Sequence, residues 1–422
     1  MTNTDKEHDE GAAAGKPGGF GVAIDVGTSS IWFRLVELES ARVLDTLVVP
    51  NPQQRYGADI ASRLGLATTD AEARASLHAD VIATVNKGIA ALCDDSGISP
   101  GAIQEVVAVG NSAMYAFLLD LDPAPLCGTP YNLKGAEDYH GPAAGLGVNL
   151  PGADLFIPSP IFGFVGADAL ADILLLGMAG NDELELIVDV GTNCEMALGN
   201  REKILVASSP AGPAYEDTHM SFGLSATEGA IYKASLDGGR FEYSVVGGGA
   251  PRGICGSGLI DIIAGMRRSG WVDESGRLLR DGPILIAEGE GGRGGGSAGG
   301  GNENPITVSQ QDIRSFQLVK ASVHAAISVL MKKFGDCVLS RMLITGTFGS
   351  YINLDNARLL KMFPDLPNER VEVVDDAACQ GAVLMLGEDH RLSLESVRGK
   401  IRHVALPLNK DFQDEFIRLM KI

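Results

Sequence analysis

Apolar residues recur at every third or fourth position over two long stretches, which predicts two amphipathic helices. The first runs from Asp70 to Cys93, with Ala73, Leu77, Val81, Val85, Ile89 and Leu92 along one face. The second runs from Ser309 to Phe334 and carries Ile313, Phe316, Val319, Val323, Ile327, Leu330 and Phe334, with Ser309 and Asp312 as its start signal. Shorter apolar runs bounded by turn residues predict strands, and one such arrangement occurs twice, at Val22 to Ser29 and at Leu186 to Asn193. Both copies contain Asp-Val-Gly-Thr and lead into a second apolar run, Ile31 to Val36 in one and Cys194 to Leu198 in the other. Each therefore reads as a hairpin with a glycine-containing turn. A repeat so widely spaced predicts duplicated lobes rather than a solenoid.

A chain of 422 residues exceeds the size at which one core usually stops growing. Two lobes are expected, over 19–180 and 181–405, each a mixed sheet flanked by helices. Residues 406–422 should form a last helix that packs back onto the first lobe. The stretch 288–304 is mostly glycine, cannot bury apolar area, and is expected to form a loop without chemistry. Residues 1–18 read as a disordered tail, polar and without the apolar centre of a secretory signal, so a cytoplasmic protein is expected.

Charge and cysteine usage narrow the partners. A formal net charge of −20 repels nucleic acid and anionic lipid alike. The most apolar stretch, Ala167 to Met178, contains Asp168 and Asp172, so no membrane span is expected. Cys93, Cys127, Cys194, Cys255, Cys337 and Cys379 lie far apart with no C-x-x-C pair, as packed, reduced thiols would.

The repeated turn is where chemistry is expected. A tight turn of glycine and threonine directs backbone N–H groups and a hydroxyl toward one point, a cradle for phosphate oxygens. An aspartate at its mouth repels phosphate directly, so its use is to hold Mg²⁺ or a metal-bound water. One such turn is commonly just a hairpin. Two, facing each other in matching strand contexts, make a phosphate clamp. A third element, Leu343 to Ser350, is an apolar strand entering a glycine turn that lets a flat base lie against backbone. Val109 to Ser112 and Gly253 to Gly258 open apolar helical stretches and suit either a ligand or helix packing.

In its order of parts (phosphate turn, connecting helix, second phosphate turn, adenosine turn) the chain resembles the superfamily of acetate and sugar kinases, actin and chaperone ATPases. Longer segments resemble the ATP-dependent reductive activators of corrinoid proteins: Asn51 to Arg63, Val109 to Met114, Phe162 to Asp168, Ala211 to Glu216, Gly253 to Asp261, Gln311 to Arg314 with Lys320, and Gly346 to Asn353. The resemblance covers Gly19 to about Leu386 and implies an α/β, two-lobed actin-like ATPase fold with a nucleotide cleft between the lobes. It further implies that Asp25 and Asp189 hold Mg²⁺ and that Gly27, Thr28, Ser29, Gly191, Thr192 and Asn193 hold the phosphates of ATP. Gly346, Thr347 and Gly349 would face the adenosine. For positioning the attacking water, Asp189, Glu195 and Glu216 remain alternatives.

Members of that family restore cobalt(I) in corrinoid methyltransfer proteins, so the implied partners are a corrinoid protein and an iron–sulfur electron donor, with a homodimer as the expected assembly. Here the chain departs from the family pattern. The first nineteen and last forty residues hold no cysteine, so a separate donor protein and no iron–sulfur cluster in this chain are expected, and Asp217 to Ala230 fits the pattern less well. Mechanistically, ATP contacts on both lobes would shift a two-state equilibrium, a full swing of which takes about 5.5 kcal/mol of differential affinity. The alternatives are a small-metabolite kinase, a radical-dehydratase activator, or a module that binds ATP or a corrinoid protein without hydrolysis.

Overall fold

The computed structural model describes residues 18–57, 59–133, 135–191, 193–209, 220–288, 304–335, 338–346, 351–406 and 409–422. Thr192, Glu216, Thr347 and Gly349, the tail up to residue 17 and nearly all of the glycine-rich stretch lie outside them. Two compact units emerge. The first comprises residues 18–56, Ala61–Leu175 and Ala378–Gly399; the second comprises Gly57–Ile60, Leu176–Ala377 and Lys400–Ile422.

In the first unit, β1 (Phe20–Val26), β2 (Ser30–Glu37) and β3 (Arg42–Pro50) form an antiparallel meander. β4 (Ile103–Gly110) lies parallel to β1 on its other side, followed by β6 (Asp154–Ile157) and β5 (Tyr139–Pro142), giving the order β3-β2-β1-β4-β6-β5. The chain passes from β3 to β4 through the helix Ala71–Ser96, whose buried residues include Leu77, Val81, Val85, Ile89 and Leu92. Asp70 caps its start by accepting the Glu72 and Ala73 N–H groups, and Gly97 ends it with a left-handed φ of 67°.

The second unit repeats this plan. β7 (Leu184–Val190), β8 (Cys194–Gly199) and β9 (Ile204–Ser209) form the meander, and β15 (Leu339–Thr345) lies parallel to β7. β16 (Val371–Val373) and β17 (Ile401–His403) complete the order β16-β15-β7-β8-β9-β17. Between β9 and β15 the chain adds β10 (Ala230–Asp237), β11 (Arg240–Val245) and β12 (Gly253–Ile254) as one small sheet, and β13 (Ile284–Ala287) with β14 (Ile306–Val308) as a ribbon. The connecting helix Gln310–Phe334 begins with a full capping box: Ser309 bonds the Asp312 N–H while Asp312 bonds back to Ser309. Its apolar face, including Ile313, Phe316, Val323, Ile327 and Leu330, enters one core with the β7–β8–β9 strands.

Two segments depart from the sequence expectation. The last helix, Lys410–Arg418, does not return to the first unit; Phe412, Phe416 and Leu419 pack on Ala321 and Ala325 of the long second-unit helix. It is residues 378–399, expected in the second lobe, that group with the first unit. Gly381 explains this: a Cβ there would stand 2.2 Å from the Ala171 carbonyl oxygen, so the segment sits closer to the helix Ala167–Leu176 than any other residue allows. Arg391 adds an ion pair to Glu105 of β4 at 2.7 Å.

Candidate functional site

The first Asp-Val-Gly-Thr segment is the β1–β2 hairpin. β1 ends at Val26, β2 starts at Ser30, and Gly27, Thr28 and Ser29 make the turn. Gly27 is obligatory because a Cβ would fall 2.7 Å from the Ser30 carbonyl oxygen. Asp25, half-buried, pairs across the sheet with Trp32 on one side and Val109 on the other.

Three side chains from segments that the sequence singled out, but to which it gave no individual role, hold this turn. Asn51 Nδ2 donates to the Gly27 carbonyl at 2.8 Å, while the Asn51 N–H and Gln54 Nε2 donate to the Ser29 carbonyl at 2.9 and 2.7 Å. Asn51 is itself fixed, because its Oδ1 accepts the Gln53 N–H at 3.0 Å and Gln53 in turn donates to the Leu77 carbonyl at 2.8 Å. A trans peptide keeps C=O and N–H on opposite sides. Drawing the Gly27 carbonyl toward Asn51 therefore turns the Thr28 N–H the other way. Asn111 is the third: its Nδ2 donates to Thr28 Oγ1 at 3.2 Å. Thus the Gly27 and Ser29 carbonyl oxygens are occupied by the protein, and the Thr28 N–H points away from Asn51.

Asn111 follows β4, whose last residue, Gly110, admits no Cβ, which would lie 2.7 Å from the Val26 carbonyl oxygen. Gly166 packs from the other side; a Cβ there would stand 2.4 Å from Asn111 Cα. Two residues on, Asp168 begins the helix Ala167–Leu176, and burial pushes its carboxyl up to about 6 although it accepts the Ala169 N–H at 2.8 Å.

The second copy is the β7–β8 hairpin. Its turn closes on itself, the Gly191 N–H donating to the Asn193 carbonyl at 2.9 Å. Asp189, half-buried, stands opposite Glu195 on β8 and Thr345 on β15. Glu195 is buried and accepts the Ser208 hydroxyl at 3.1 Å. Burial pushes the Cys194 thiol well up, reinforced by the negative charges of Glu195 and Asp189, so this cysteine is a packed thiol and no nucleophile.

Gly346 brings the third expected element against the second. It follows β15 with φ +88°, and a Cβ would lie 2.4 Å from Asp189 Oδ1 and 2.5 Å from the Val190 carbonyl oxygen. Only glycine meets both conditions. Asp189, Gly191, Asn193 and Gly346 are thus brought together, as are Asp25, Gly27, Thr28 and Ser29 in the other unit.

Among the described residues no group of three or more His, Cys, Asp or Glu is arranged to hold a metal ion, and no helix is long and apolar enough to cross a membrane. Mg²⁺ beside a nucleotide needs no such group, because it takes one or two carboxylates and completes its shell with phosphates and water. Asp25, two residues before Gly27, and Asp189, against Gly346, each lie near a glycine with no room for a side chain and fit that requirement.

Residues 20–181 match the family model described as the RACo middle region, and residues 183–422 match the C-terminal domain of RACo, the ASKHA domain. A corrinoid activation enzyme, RamQ of Eubacterium limosum, is 31% identical over 415 residues, covering 94% of this chain and 69% of the relative. The Methanosarcina barkeri reductase of a Co(II) methylated amine-specific corrinoid protein is 22% identical, over 94% of this chain and 76% of its own length. A solved structure of a reductive activator for a corrinoid, iron–sulfur protein superposes with a TM-score of 0.83 at 30% identity, covering 96% of this chain and 66% of that one. The fold is accordingly actin-like, and the chain spans about two thirds of the solved activator's length.

Proposed function

Because the chain belongs to the RACo family, we propose that it is an ATP-hydrolysing activator, which promotes return of a corrinoid protein to cobalt(I) with electrons from a separate iron–sulfur protein. The observation that carries this reading is the first turn, whose Gly27 and Ser29 carbonyl oxygens are tied back by Asn51 and Gln54 while the Thr28 hydroxyl, already accepting from Asn111, keeps a hydrogen to give three residues on from Asp25. Such a site suits a phosphate with its metal and does not suit a cationic or apolar ligand.

Asp25 and Asp189 would hold Mg²⁺ and its waters, Thr28 and the turn backbones would hold phosphate oxygens, and the turn at Gly346 would face the adenosine. Bound Mg-ATP supplies the phosphoryl bond whose hydrolysis makes the activation cycle directional. Contacts to ATP that differ between two conformations of the chain are what shift its population. Glu195 is the less suitable water-positioning group, since it is buried and already bonded to Ser208. Asp189 is the better one.

Five described cysteines are free thiols, as a reducing, cytoplasmic setting keeps them. Sedimentation of the ATP-loaded chain tests the homodimer that forms part of this reading.

The decisive assay mixes the chain with a cobalt(II)-form corrinoid protein, an iron–sulfur donor and a reductant, and follows cobalt(I) by its absorption. Cobalt(I) should accumulate only with Mg-ATP, and Asp25→Ala or Asp189→Ala should reduce ATP turnover at least about 100-fold, as expected when a charge-stabilising group is removed. A cobalt(I) yield indifferent to ATP, or full turnover in both variants, would refute the proposal.

A further inference from the structure

We propose that Asn111 is a positioning residue for nucleotide binding, its side-chain amide fixing the direction in which the Thr28 hydroxyl gives its hydrogen. This deepens the ATP reading above and rests on it.

The polarity of the Asn111 amide is settled by its neighbours. One side-chain atom lies 3.1 Å from both the Ala113 and the Met114 N–H groups at the start of the helix Ser112–Leu118. Only an oxygen can accept two N–H donors, so that atom is Oδ1 and the other, 3.2 Å from Thr28 Oγ1, is the NH₂ group. The Ala113 and Met114 N–H groups of this short helix are consumed in the process.

The consequence falls on Thr28. A hydroxyl has one hydrogen to give and two lone pairs to receive. Asn111 fills a lone pair, so the hydrogen cannot be given to Asn111. Among the described residues none accepts that hydrogen, and at 8% exposure the side chain has little water to turn to. The site therefore presents a donor in need of an acceptor, and the oxygens of a phosphate are acceptors only. Asn111 cannot drift away from this task, because Gly110 abuts the Val26 carbonyl and Gly166 abuts the Asn111 backbone, each closer than a side chain would allow.

Reversing the polarity of the amide is the test. In Asn111→Asp the carboxylate has the same size and still accepts the Ala113 and Met114 N–H groups, so the cap is kept. It offers Thr28 no hydrogen and takes the one Thr28 has. Binding of a non-hydrolysable ATP analogue with Mg²⁺, measured by calorimetry, should weaken at least about tenfold, the scale of one hydrogen bond to a charged group, while the melting temperature stays within about 2 °C.

A new negative charge near phosphate would weaken binding by itself, so a second arm adds none. Asn111→Ala and Thr28→Val should each weaken the analogue several-fold, and the double variant no more than the weaker-binding single, because both remove one interaction. Binding by Asn111→Asp within twofold of wild type, or losses that multiply in the double variant, would overturn the inference alone. A wild-type chain that binds no analogue would overturn the functional reading along with it.

Discussion

The two Asp-Val-Gly-Thr hairpins share their local sequence and differ in what holds them. In the first unit the props are side chains: Asn51 and Gln54 draw off the turn carbonyls, and Asn111 sets the threonine hydroxyl. In the second unit the described prop is backbone, Gly346 lying where a Cβ would touch the Asp189 carboxylate. A hairpin sequence fixes the turn, and the packing around it decides which atoms the turn can offer. The first is built for tuning by side-chain exchange, and the second for shape.

Gly346→Ala strikes this contrast hardest. It puts a methyl group 2.4 Å from Asp189 Oδ1 at a left-handed φ of +88°, and should cost about 2–4 kcal/mol of stability from strain and overpacking together. ATP hydrolysis should fall with it by at least about 100-fold, since the carboxylate must move. Chemical denaturation and steady-state turnover read both, and unaltered turnover would mean that backbone packing does not govern the second turn.

Asn51→Ala probes the side-chain props with a smaller effect. It leaves the half-buried Gly27 carbonyl without its donor and should cost about 1–3 kcal/mol, with a several-fold weaker ATP affinity. Hydrogen exchange should report the loosening in β1 and β2 while β7 and β8 stay protected.

The mildest test uses pH. Asp168 in the first unit is raised from its ordinary 3.8 to about 6 by burial, so between those values the folded chain holds a proton that the unfolded chain has lost. Its contribution to stability should fall as pH rises from 3.8 to 6. Lys320 in the second unit, fully buried and donating to the Lys421 carbonyl, is lowered from 10.5 to about 7, first by burial and then by Lys361. There the unfolded chain holds the extra proton, so stability should rise between pH 7 and 10.5. Unfolding titrations of Asp168→Asn and Lys320→Met should each lack the corresponding slope, which is at most about 1.4 kcal/mol per pH unit within each window.

Much of the scaffold was readable from local rules. The spacing from Ala73 to Leu92 and the Ser309–Asp312 start signal specify helices whose caps and buried faces depend on near neighbours in sequence. The duplicated hairpins were readable because strand periodicity and turn chemistry are also local. What packs on a turn is not. Asn51 reaches Gly27 through the β2–β3 register, and Asn111 reaches Thr28 through the parallel pairing of β4 with β1, relations that exist only once the sheet has formed. Residues 378–399 eluded the sequence for the same reason: Gly381 resembles any helical glycine until Ala171 is seen beside it.

That late return also constrains biosynthesis. The first unit needs Gly381 against Ala171, Leu386 near Gly21 and Arg391 on Glu105, yet these residues leave the ribosome only after nearly all of the second unit. At about 5–20 residues per second, the early strands wait on the order of tens of seconds for their last helices. Meanwhile the second unit has most of its own residues in hand. An amino-terminal fragment ending near residue 175 should accordingly be a poor folder, and a chaperone holding the nascent chain would act on the half translated first.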